Sequence, residues 1–285
     1  MPPSALLILI IAALLHTAWN LLLKNSENKY IILWWGLAIG AVICLPVLIL
    51  KIPITISIWP FAIASALFET IYYVLLATAY QKDDFSLVYP IARGAAPALL
   101  AIWAVLFLKE SLSDIGKIGL VILICGLILV GSSKLWSVRE KGIGSVAGIG
   151  LACLVALIIS VYSVIDGAAV QQTGAPAYTV LVFILTALLA LPLVFRRYGW
   201  HMVISEGRAH WMQAAIIGIL SLLAYMLVLV TYSFIPVSYG GAIREISIIF
   251  GALAGWLLLK EKFGPVRLIG AAIIFAGILT IVVAG

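Results

Sequence analysis

Ten stretches of roughly 20 apolar residues, joined by short loops, leave this chain very few possible folds. They are 4–24, 30–50, 59–80, 85–108, 115–132, 145–170, 176–195, 211–234, 236–259 and 266–284. The longest loop, 196–210, leaves no room for a soluble domain. The stretches are too long and too continuously apolar for barrel strands, so the spacing predicts an all-α polytopic membrane protein. Composition agrees: 65% of the residues are hydrophobic and 10% charged, against about 25% charged in a soluble domain. The net charge of +6 does not point to nucleic acid, because the basic residues sit at segment ends, where they anchor spans. Cys44, Cys125 and Cys153 fall inside segments without metal spacing and read as packing residues. The first segment lacks a basic leader region and carries His16, Trp19 and Asn20, so it is expected to be retained.

The two halves of the chain repeat one another. A shift of 151 residues carries Arg93 onto Arg244, Lys109-Glu110 onto Lys260-Glu261, Gly119 onto Gly270 and Gly126 onto Gly277. A shift of 146 carries Leu45-Pro46 onto Leu191-Pro192, Lys51 onto Arg197, His16 onto Tyr162 and Asn20 onto Asp166. At 152, Trp59 meets Trp211 and Tyr80 meets Tyr232. The predicted units are 1–136 and 137–285, each with five spans. Because five is odd, the second unit must enter the membrane from the opposite side, as an inverted repeat around a central cavity.

With these residues, the chain resembles the EamA-type ten-helix members of the drug/metabolite transporter superfamily. The resemblance rests on the two five-segment halves and on the Leu-Lys-Glu ends at 108–110 and 259–261. It also rests on the glycine pairs at 119 and 126 and at 270 and 277. It covers the whole chain. It implies a basket of helices around a cavity lined by segments one, three and four and their repeats six, eight and nine. It is specific for architecture and poor for substrate.

Orientation draws two opposed expectations. With the N-terminus in the cytoplasm, the cytoplasmic loops hold only Lys51, Lys109 and Lys117, against twelve basic residues outside. The positive-inside rule therefore places both termini outside. The resemblance implies both inside.

Ionisable groups within spans mark functional candidates. Here they are His16, Glu69, Arg93, Asp166, Arg244 and Glu245. Arg93 and Arg244 lie near mid-depth and suit a carboxylate or phosphate through a planar two-pronged donor set. The bland reading pairs them with Glu69 and Asp166. A spare acid among Asp166, Glu69 and Glu245 is the candidate for proton or cation coupling. Pro90 and Pro97 flank Arg93, and Gly240-Gly241 precede Arg244, so both spans are expected to be kinked or locally open there. His16, Trp19 and Asn20 share one helical face, as do Glu69, Tyr72 and Tyr73. Tyr162 with Asp166, and Tyr225 with Tyr232, extend this polar and aromatic stripe, which suits an ammonium group by cation–π contact. The alternative is interhelical hydrogen bonding by the tyrosines. The small-residue pairs Gly36/Gly40, Gly144/Gly148 and Gly251/Gly255 are packing signatures, compatible with a monomer or a homodimer.

No phosphate-cradling loop, metal-ligand cluster or catalytic triad spacing is present in the sequence, so no enzyme, cofactor or metal is expected. The leading expectation is a secondary transporter in the cell (inner or plasma) membrane that exports amino acids or related zwitterions. Its partners would be a small-molecule substrate and the lipid bilayer. The alternatives are a proton-coupled exporter of lipophilic cations and a non-transporting assembly or lipid-handling protein.

Overall fold

A computed structural model describes residues 1–49, 55–82, 85–138, 144–257 and 265–284. The apolar segments fall in helices: α1 (Pro3–Lys24), α2 (Lys29–Ile49), α3 (Trp59–Lys82), α4 (Phe85–Phe107), α5 (Asp114–Val138) and α6 (Gly144–Val170). They continue with α7 (Ala175–Tyr198), α8 (Trp200–Ala209), α9 (Trp211–Tyr232), α10 (Val237–Arg244), α11 (Ser247–Leu257) and α12 (Pro265–Ala284). Among the described residues, six helices are long and apolar enough to cross a membrane, and Ala95–Phe107 and Ile269–Ala284 are shorter apolar stretches. Lys51, Arg139, Lys141 and the second Leu-Lys-Glu end at 259–261 lie outside the described residues.

The bundle has an apolar core and an apolar exterior, and its membrane-embedded charged side chains are turned inward. Leu7, Val121, Leu188 and Val283 are 60%, 60%, 59% and 80% exposed, whereas Glu69, Arg93, Asp166, Arg244 and Glu245 are all at most 5% exposed. Hydrocarbon tolerates the first set and excludes the second. Between helices in lipid the driving force is close contact, so small residues carry the packing. α5 packs along α12 through glycines. A Cβ on Gly126 would stand 2.7 Å from the Ile274 backbone nitrogen, and one on Gly277 would stand 2.6 Å from that of Leu123. Gly36 and Gly40 seat α2 against Gly218 of α9 in the same way.

The packing partners exchange in pairs between the two halves. α3 lies against α6 and α1 against α9; α4 lies against α6, and α10 and α11 against α1; α2 lies against α9 and α7 against α3. Pro46 of α2 and Pro192 of α7 sit inside matched helices that face one another.

Two expectations need correction. The loop 196–210 holds a helix, α8, fixed under α2 by the Trp35 indole, which donates to the Val203 carbonyl at 2.9 Å. The span carrying Arg93 keeps helical backbone throughout α4, although Pro97 has no N–H to give the Arg93 carbonyl. The span carrying Arg244 does break, but after the arginine, at Glu245 and Ile246, and not at Gly240-Gly241. There the backbone tightens to three-residue spacing, with Glu245 N donating to Ala242 O at 3.1 Å and Ile246 N to Ile243 O at 3.0 Å. The Thr17 hydroxyl, from α1, donates to the Ser247 carbonyl at 3.1 Å beside the break.

Candidate functional site

Inside the bundle a cavity of about 30 Å³ is lined by α1, α3, α4, α6, α9 and α10. Of the residues expected from the sequence, His16, Trp19, Glu69, Tyr72, Tyr73, Arg93, Tyr162, Tyr225 and Arg244 form its wall. The match reflects helical geometry. The i, i+3 and i, i+4 spacings put these side chains on one face each, and the polar face must turn inward in lipid.

The arginines share a single carboxylate. Arg93 Nε lies 2.9 Å from Glu245 Oε2, and Arg244 Nε lies 3.5 Å from Glu245 Oε1. The pairing with Glu69 and Asp166 does not form among the described residues. Adjacent residues on a regular helix do not face one another, so the break at 245–246 is what lets Glu245 turn back to Arg244. Arg93 Nη2 is buried with no hydrogen-bond partner among the described residues. Two guanidinium groups against one carboxylate leave donor capacity and, with all three ionised, a positive charge on this wall.

The acids form a second cluster. Glu69 lines the cavity and accepts a hydrogen bond from the Thr186 hydroxyl at 3.3 Å. Asp166 stands one layer behind, fully buried, accepting from the Tyr178 hydroxyl at 2.9 Å and the Tyr225 hydroxyl at 2.6 Å. Tyr225 is therefore a cavity residue held by a hidden carboxylate. Tyr73, Tyr72, Tyr162 and Tyr225 run in sequence round the wall, with successive ring centroids 4.9, 5.8 and 6.4 Å apart. The Trp19 indole donates to His16 Nδ1 at 3.3 Å, which makes Nδ1 an acceptor and puts the proton of a neutral ring on Nε2.

Asn20, Glu245 and Asp166 do not line the cavity. Asn20 donates from Nδ2 to the His16 carbonyl at 2.9 Å and accepts from the Tyr80 hydroxyl at 3.0 Å, so it joins α1 to α3. Its position on the His16 face signalled burial, and its partner Tyr80 turned it aside. Tyr232 is fully buried, not a wall residue. Sequence reasoning missed Ser221, which lines the cavity four residues before Tyr225 on the same face of α9. It also missed Tyr178 and Thr186, because α7 was not expected near the site.

A helical bundle with an apolar exterior and charged side chains turned inward defines a multi-pass membrane protein. The sequence model of the EamA-like transporter family matches residues 3–132 and again 146–283. The chain belongs to this family, whose members are transporters and not enzymes. It is 35% identical over 99 residues to an uncharacterised protein of Methanocaldococcus jannaschii, over 34% of this chain and 72% of that one. It is similar in fold to a crystal structure with a TM-score of 0.74 at 18% identity, covering 100% of this chain and 98% of the other.

Proposed function

We propose that this transporter carries a small zwitterionic metabolite, such as an amino acid, as a secondary exporter. The observation that carries the reading is the two-sided wall: Arg93 and Arg244 sharing one carboxylate on one side, Glu69 among tyrosines on the other. A carboxylate of the solute would take the spare guanidinium donors. An ammonium group would sit over the tyrosine rings near Glu69. The cavity in this conformation has room for about two water molecules, so admitting a metabolite requires the helices to part. Alternating access by rocking of two halves, 1–136 and 137–285, fits that requirement, and the pairwise exchange of packing partners supports an inverted repeat. Asp166, Glu69 and Glu245 are the candidates to carry a coupling proton or cation.

Thermal stabilisation of the purified protein by amino acids, amines, phosphorylated metabolites and lipophilic cations tests this. A ligand at 100 times its dissociation constant should stabilise the protein by about 2.7 kcal/mol. A carboxylate-bearing ligand should lose at least about tenfold in affinity in Arg93→Gln and in Arg244→Gln, as expected for loss of a charged hydrogen bond. Transport of every stabilising ligand unchanged in both variants sinks the reading. The exposure of Glu69 to the cavity favours a second reading, a lipophilic-cation exporter. That reading requires cation hits that survive both arginine substitutions and vanish in Glu69→Gln.

A further inference from the structure

The connection between α4 and α5 reaches across to the second half in a way that transport of a solute does not by itself explain. α4 ends at Phe107, and Lys109 then adopts φ 54°, the left-handed region that a side chain enters only at a cost. Such strain persists where the surroundings enforce it. The turn throws the half-buried Glu110 onto the start of α10. Its carboxylate accepts from the Val237 backbone N–H and the Ser238 hydroxyl at short range, and from the Ser238 backbone N–H at 3.2 Å. Glu110 therefore satisfies two of the otherwise unpaired N–H groups in the first turn of α10, and a negative charge there complements the helix dipole. Nearby, the Ser113 and Tyr239 hydroxyls lie 3.4 Å apart, and Tyr239 packs so close over Gly116 that a Cβ there would collide with it.

α10 has eight residues, and the tightened turn at Glu245 and Ile246 joins it to α11. It is a lever about 12 Å long at 1.5 Å per residue. Glu110 of the first half grips one end, and the other end carries Arg244 into the cavity wall. We infer that Glu110 is a positioning residue: its carboxylate latches the bundle shut at the end where the α4–α5 and α9–α10 connections meet, and seats Arg244 while it does so. Opening to that end requires the three hydrogen bonds to part. This rests on the transport reading, since a latch has a role only if the cavity opens.

The test reads accessibility and needs no substrate. In a background with Cys44, Cys125 and Cys153 replaced by alanine, Val228→Cys places one thiol in the cavity wall. A membrane-impermeant maleimide is added to right-side-out and to inside-out vesicles. Glu110→Gln should raise labelling from the latched face about tenfold, the factor expected for weakening of charge-assisted bonds. Ser238→Ala, which removes one donor, should raise it less, and Glu110→Asp should keep most of the protection. Unchanged labelling in Glu110→Gln overturns the latch. So does labelling of a thiol placed by Ile274→Cys between α5 and α12, since that reports general loosening of the fold. A latch that behaves as expected beside a ligand panel without hits would remove the substrate reading alone. A carboxylate hit with unmoved labelling would remove the latch alone.

Discussion

Glu245 is the residue on which the site's charge balance turns. It is fully buried, it faces both arginines, and removing its charge leaves two guanidinium groups in a low-dielectric interior without an anion. Breaking a buried pair costs about 3–5 kcal/mol, more than deleting the same pair outright. Glu245→Gln should therefore lower the melting temperature strongly, and adding Arg93→Gln to it should recover part of the loss. If the double variant is no more stable than Glu245→Gln alone, the shared-carboxylate account is wrong. Asp166 offers a smaller contrast. Tyr178→Phe leaves a buried carboxylate oxygen short of a donor and should cost about 1–3 kcal/mol without touching the cavity. Tyr225→Phe removes the other donor and also alters the wall, so it should change ligand affinity as well as stability.

At the level of elements, close helix contact is the term that decides packing. A Cβ on Gly218 would overlap the Gly36 carbonyl, which is rigid backbone and cannot give way. Gly218→Ala should destabilise by about 1–3 kcal/mol through overpacking. Gly150 in α6 has nothing within 4 Å of its Cβ position. Gly150→Ala should be neutral or stabilising by up to about 1 kcal/mol, from the lower backbone entropy of alanine. Melting curves of the two variants in one detergent check the pair, and equal shifts would contradict it. The break between α10 and α11 shows the limit of reading elements locally. Gly240-Gly241 have the weakest helix propensity in that span, yet both sit inside α10, because Glu110 caps the helix from outside. The chain yields instead where Glu245 must meet Arg244 and Arg93.

For the whole molecule, each half leaves unfinished surfaces that the other completes. α5 is paired with α12, α1 with α9, and α4 with α6 and α10. Expressed separately, 1–136 and 137–285 should each be degraded or aggregate, whereas co-expression should restore a complex with the melting behaviour of the intact chain. Two halves that are independently stable would argue against this mutual packing. Orientation is checked by impermeant labelling of cysteines placed near Lys29 and near Asp114, which report opposite ends of the bundle.

The sequence by itself determined the membrane class and the helical architecture, and it marked the polar faces of the helices. Hydrocarbon imposes about 20 apolar residues per span and drives polar side chains inward, so periodicity gathers His16 with Trp19, and Glu69 with Tyr72, onto one face of their helices, while the resemblance implied that those helices line a cavity. The resemblance to the EamA-type transporters was legible too, in the repeated order of Arg, Lys-Glu and Gly. Only the tertiary structure decided who pairs with whom. The choice of Glu245 over Glu69 and Asp166 as the arginine partner, and the diversion of Asn20 to Tyr80, depend on helix rotations and on one backbone break. So does the arrival of Glu110 at a helix 127 residues away. These are long-range contacts whose geometry no local spacing encodes, because a hydrogen bond fixes atoms to within tenths of an ångström while a helical face fixes only a direction.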